Sequence, residues 1–93
     1  MIQNFKDKET QALFEGKAVR RFQGFERQAM RRLVVLDTAR SITDLAALPS
    51  NRFEHLKGNR KGQSSIRINL QWRICFRWSD EGPEDVEIVD YHV

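Results

Sequence analysis

The carboxy-terminal run Val89-Asp90-Tyr91-His92-Val93 holds the chain's best group for moving a proton. An imidazole with an unperturbed pKa near ~6.5 can give or accept a proton at neutral pH. Asp90, two positions before His92 on the same strand face, can orient the ring or stabilise its charged form. A second group is cationic. Lys57-Gly58-Asn59-Arg60-Lys61-Gly62 sets three cations within five positions, with glycines that allow close backbone approach to a phosphate. It is not a Walker loop, because the glycine spacing differs and no Lys-Ser/Thr follows Gly62. The third group is Arg73 with Arg77 and Arg67, whose guanidinium forks suit bidentate phosphate contact. Each has a plain alternative: a solvated hairpin loop, arginines paired with Glu54, Asp85 or Glu87, and an idle frayed terminus. Cys75, among arginines in mid-strand, is the weakest nucleophile candidate. His55 and His92 are the only histidines and have no ligand spacing, so no metal or other cofactor is expected.

The elements that must position these groups divide the chain in two. Ile2–Phe5 alternates as a short edge strand does. Asp7 can cap a helix that buries Leu13 and Phe14 and ends near Gly16. Phe22, Phe25, Ala29, Leu33 and Leu36 advance by threes and fours as the apolar stripe of a longer helix, with Arg20, Arg27 and Arg31 on another side. Ser41 with Asp44 opens a third, short helix that stops before Pro49. Strands follow. Phe53–Leu56 is a weak one, Ser65–Ile68 alternates, and Asn69-Leu70-Gln71 is a tight connection. Trp72, Ile74, Phe76 and Trp78 then face one way while Arg73, Cys75 and Arg77 face the other. After the turn residues Asp80–Pro83, Val86, Ile88, Asp90 and His92 share one side of a last strand. Helices first and antiparallel strands after them predict an α+β fold: a small sheet with two or three helices on one face and arginines on the other.

Ninety-three residues suffice for one domain spanning 1–93. One cysteine excludes an internal disulfide framework, and no wholly apolar run exceeds four residues, so neither a membrane span nor a signal peptide is expected. The chain reads as soluble and cytoplasmic. Its net charge of +3 conceals segregation. Residues 17–32 carry six cations against Glu26 alone, 52–78 seven against Glu54 alone, and 79–93 six acids with no lysine or arginine. That pattern suits a polyanion, nucleic acid above all, and adds Arg27 and Arg31 to Arg60, Lys61, Arg67 and Arg77 as candidate RNA contacts.

The basic loop, Asn69-Leu70-Gln71-Trp72-Arg73 and the terminal Asp90-Tyr91-His92 together resemble the HigB toxins, the plasmid maintenance system killer branch of the RelE/ParE toxin superfamily. The opening strand, the helix through Leu36-Asp37-Thr38-Ala39 and the Leu56-Lys57-Gly58 step fit the same pattern, so the resemblance covers essentially the whole chain. It implies a small antiparallel sheet with helices on one face. It implies the toxin of a type II toxin–antitoxin pair, a helix-turn-helix HigA-type antitoxin as partner, and cleavage of mRNA in the ribosomal A site. Active-site roles carry over to Lys57, Asp90, Tyr91 and His92, with Arg73 as a phosphate contact. Some members have a histidine just before the loop, where this chain has Glu54 and His55. Metal-free cleavage by the 2′-hydroxyl needs a base, an acid and cations. His92 oriented by Asp90 would move protons, Tyr91 would assist or stack on a base, and Lys57 and Arg73 would hold the phosphate. Two other readings remain open: a ParE-type toxin that binds a protein such as gyrase without chemistry, and a passive RNA-binding module.

Overall fold

Asp7 starts the first helix as its sequence position suggests. Its extended backbone lets the carboxylate accept the Thr10 amide at 3.0 Å, and α1 runs Lys8–Phe14. Lys17 N–H donates to Ala12 and Gly16 N–H to Leu13, with Gly16 at φ +88°, a Schellman close that only glycine enters without strain. Asp7→Ala should therefore cost about 1 kcal/mol of stability while Asp7→Ser keeps most of it, as measured by urea unfolding. The computed structural model describes residues 1–91, and His92 and Val93 lie outside that range.

The long apolar stripe is real, but its helix starts later than the spacing predicts. Gly24, at φ +93°, breaks the run, so Arg20–Phe22 forms a 3₁₀ turn and α2 spans Glu26–Thr38. Phe22 and Phe25 still pack inward from the turn. Phe22 is fully buried edge-on to Trp72 at 5.9 Å, and Phe25 stacks on the same indole at 4.9 Å. Helix α3, Ile42–Ala47, is capped by the Ser41 hydroxyl accepting from the Asp44 amide, and Asp44 in turn accepts from the Arg40 amide.

The four strands β1 Glu54–His55, β2 Ser64–Arg67, β3 Trp72–Ser79 and β4 Gly82–Asp90 form an antiparallel meander in sequence order. Ile66, Ile74 and Ile88 stand side by side across it and meet Leu33 and Leu36 of α2 in the core. This is the expected α+β arrangement. The opening Ile2–Phe5 segment departs from expectation: it makes one parallel bridge, Phe5 to Val86, rather than a strand. The register of β3 and β4 shifts between Cys75 and Arg77, and Asp85 takes φ +54°, so the edge that the segment meets is kinked. Asn4 answers the kink by accepting the Asp85 amide on its side chain. No helix among the described residues is long and apolar enough to cross a membrane.

Candidate active site

On the sheet face away from the helices a cleft of about 340 Å³ is lined by Glu54, Arg67, Asn69, Leu70, Arg73 and Tyr91. Cross-strand pairing puts these residues there. Glu54 stands opposite Ser65, and Arg67 stands opposite Arg73. The β2–β3 turn is fixed by the Asn69 carboxamide, which accepts the Gln71 and Trp72 amides at 2.8 and 2.9 Å. That turn also holds the end of the last strand, because Tyr91 N–H donates to the Gln71 carbonyl at 2.7 Å.

Arg73 is the centre of the cleft. The alternation of β3 places it on the predicted face but says nothing of depth, and the residue is only 7% exposed. Its Nε donates to Ser65 Oγ at 2.7 Å, and one Nη donates to the Arg52 carbonyl. The other Nη faces Glu54 Oε1 at 3.3 Å, and the guanidinium lies 5.8 Å from the Tyr91 ring centre. Burial pulls its pKa below the ordinary arginine value, and the Glu54 carboxylate opposes that pull. Arginine's high intrinsic basicity keeps the group a cation. A desolvated guanidinium with one edge bonded to Ser65 and the chain, and the other turned to a half-exposed carboxylate, is set up to exchange that carboxylate for another anion.

The other candidates are distributed unevenly. Arg67 joins the cleft wall, with Nε donating to the Asn69 carbonyl. Lys57 is exposed at the start of the basic loop and does not line the cleft. Part of the loop's backbone is committed to its own turns. The amides of Arg60, Lys61 and Gln63 donate to the carbonyls of Lys57, Gly58 and Arg60. Arg60 pairs with Glu87 at 3.2 Å and Arg77 with Asp85 at 3.7 Å, so two arginines expected on an open basic face are spoken for by acids. Arg27 and Arg31 sit on α2, on the opposite side of the sheet from the cleft. Asp90 pairs across from Trp72 and its carboxylate accepts from Gln71 Nε2 at 3.1 Å, which puts it on the strand face away from Tyr91. The expected Asp90–His92 pair cannot be placed, since His92 lies outside the described residues.

His55 and Glu54 are now separable. His55 pairs with Ser64, bonds its hydroxyl through Nδ1 at 3.1 Å and abuts Phe53 edge-on, all on the helix side. Glu54 faces the cleft, a residue that the sequence offered as an arginine's partner and, with His55, as an occupant of the stretch before the loop. The two-residue strand is too short to show its pleat, and only its pairing with Ser65 assigns the face. Cys75 is buried, and burial raises its pKa, which holds it as an unreactive thiol. Among the described residues no three His, Cys, Asp or Glu side chains gather as metal ligands do.

Comparison with known proteins adds the family. Residues 3–92 match the model of the RelE-like toxin of type II toxin–antitoxin system HigB. Toxin HigB-1 of Vibrio cholerae is 43% identical over 82 residues, 86% of each chain. Endoribonuclease HigB of Proteus vulgaris is 31% identical over 93 residues, 99% of this chain and all of that one. The YoeB–YefM complex from Staphylococcus aureus contains a chain with the same fold, at TM-score 0.58 and 16% identity over 100% of this chain and 99% of that one.

Proposed function

Since the chain belongs to the RelE-like HigB toxins of type II toxin–antitoxin systems, we propose that it is an endoribonuclease that cuts mRNA in the ribosomal A site and thereby arrests translation and growth. The observation that carries this reading is the Arg73 cluster: a buried cation whose fork is held on one edge and shared with the half-exposed Glu54 on the other, beside the phenol of Tyr91. A passive binding surface has no use for a desolvated guanidinium paired with its own carboxylate in a cleft.

The chemistry uses the substrate's own nucleophile. The 2′-hydroxyl attacks the adjacent phosphorus, the new 2′-oxygen bond forms, and the bond to the 5′-oxygen breaks. The products are a 2′,3′-cyclic phosphate and a 5′-hydroxyl end. In our assignment the scissile phosphate takes the place of Glu54 on the Arg73 fork, and Arg73 and Lys57 meet the charge that builds on phosphorus. Glu54, released, accepts the 2′-hydroxyl proton. His92 returns a proton to the 5′-oxygen, and Tyr91 stacks on a base or supports that transfer, while Asp90, on the far face of the strand, ties the strand end to Gln71. Each positioned proton transfer is worth typically ~10²–10⁴-fold, and no step calls for a metal ion. Lys61, Arg67 and the side chains of Arg60 and Arg77, once exchanged from their acids, would steady the RNA backbone. The chain's partner is an antitoxin, which we assign to the helix-turn-helix HigA type, and the site of action is the cytoplasm.

Growth tests the proposal. Induced alone, the chain should arrest growth and leave mRNA fragments ending in 2′,3′-cyclic phosphate, and His92→Gln should relieve the arrest with unchanged thermal unfolding. Equal toxicity of His92→Gln and the unaltered chain, without mRNA fragments, would move the reading to a toxin that acts by binding a protein target.

A further inference from the structure

A hollow larger than the cleft lies on the other side of the sheet. A groove of about 580 Å³ lies between α1 and α2, on the helical side of the sheet. Its floor is apolar, made by Leu13, Ala18 and Met30, and its rim is cationic, with Lys17, Arg27 and Arg31. Glu26 also borders it, but that carboxylate accepts the Gly24 amide at 3.1 Å. Arg27 and Arg31 are one turn apart on α2, like charges at a spacing that is unfavourable in an isolated helix. Among the described residues neither has a carboxylate within ion-pairing distance, although Arg21, Arg60, Arg73 and Arg77 all do. The same helix face continues to Val34, 46% exposed. Two unpaired cations beside an apolar floor complement an amphipathic segment that carries carboxylates next to its apolar side chains. RNA is a poorer match, since none of the lining residues is aromatic and bases would find nothing to stack on. Met30, unbranched and adaptable, suits a protein side chain as neighbour.

We infer that the α1–α2 groove is where the antitoxin docks, through an amphipathic helix with an acidic flank, on the far side of the sheet from the RNA cleft. The inference rests on the toxin–antitoxin reading for its partner but not on the ribonuclease chemistry. Ala18→Asp combined with Met30→Asp places like charge against the acidic flank and polar atoms on the floor. With the antitoxin encoded alongside this chain as probe, the double variant should lose at least 100-fold in affinity. Co-expressed antitoxin should no longer rescue growth. Single-turnover cleavage of mRNA on programmed ribosomes should stay within twofold of the unaltered chain. Arg27→Glu with Arg31→Glu should likewise weaken antitoxin binding, and the unaltered complex should weaken with added salt. Thermal unfolding of each variant separates lost docking from lost folding, and Ala18→Asp alone, at an exposed position, serves if the double variant unfolds. Unchanged antitoxin affinity overturns the inference. So does a result in which ribosome affinity falls and antitoxin affinity does not, which would make the groove an RNA contact. If the unaltered chain cuts no mRNA, the ribonuclease reading fails, while the affinity arm still decides the groove.

Discussion

Arg73→Ala should lower single-turnover cleavage of mRNA on programmed ribosomes by roughly 10²–10³-fold, the loss typical when one preorganised donor to a developing charge is removed. Affinity for the same ribosomes should fall far less, because the charge on phosphorus that this fork meets grows on the way to the transition state. The substitution also has a structural cost. It strands the Ser65 hydroxyl and the Arg52 carbonyl, both partners of the buried guanidinium, and leaves a void beneath Tyr91. Unsatisfied buried groups cost about 1–3 kcal/mol each, so urea unfolding should show destabilisation of that order. Arg73→Lys keeps the charge but loses the fork that bridges Ser65 and Glu54, and should recover only part of the rate. Parallel losses in rate and affinity would make Arg73 a docking residue. An intact rate with lost stability would make it a structural ion-pair partner.

Glu54→Gln isolates the other half of the cluster. The Glu54 carboxylate is about half exposed and its ion pair with Arg73 is screened by water, so stability should change by less than about 1 kcal/mol. As the acceptor of the 2′-hydroxyl proton it should cost the cleavage step roughly 10²–10⁴-fold. The two effects on RNA then point in opposite directions. Removing the carboxylate that occupies Arg73 at rest frees the fork for phosphate, so ribosome affinity should hold or tighten while the rate collapses. Glu54→Asp, one methylene shorter, should recover part of the rate. An unchanged rate in Glu54→Gln would leave Glu54 as Arg73's resting partner and pass proton acceptance to His92 or Tyr91.

Much of the frame is legible in the sequence because local chemistry dictates it. Asp7 and Ser41 cap helices where their spacing to Thr10 and Asp44 requires, and the alternation of Trp72–Trp78 sorts β3 into a core face and an arginine face. The amino-terminal limit of α2 was hidden, since hydrophobic spacing runs through Gly24 without registering that the backbone there is left-handed. The missing edge strand has a similar cause: alternation in Ile2–Phe5 reports the segment, not the bulge in the strand it meets. For the site, periodicity fixes which face a residue takes and leaves open what covers it. Arg73 is buried because Arg52 and Glu54 arrive from before the basic loop, a long-range contact with no signature in the residues around position 73. The pairing of Arg60 with Glu87 across 27 positions is equally invisible to local reading.

The first strand has only two residues, one pointing to each side of the sheet, and those two are a carboxylate and an imidazole. Because side chains alternate strictly, sliding this strand by a single residue against β2 would exchange them: His55 would look into the cleft beside Arg73, and Glu54 toward Trp78 and the helices. The longer ladders of β2, β3 and β4 would not have to move. An insertion or deletion of one residue between Arg52 and the basic loop therefore acts as a selector of proton acceptor. The same scaffold can pass from carboxylate to imidazole catalysis, and so to a different pH range of action, without altering any residue of its core.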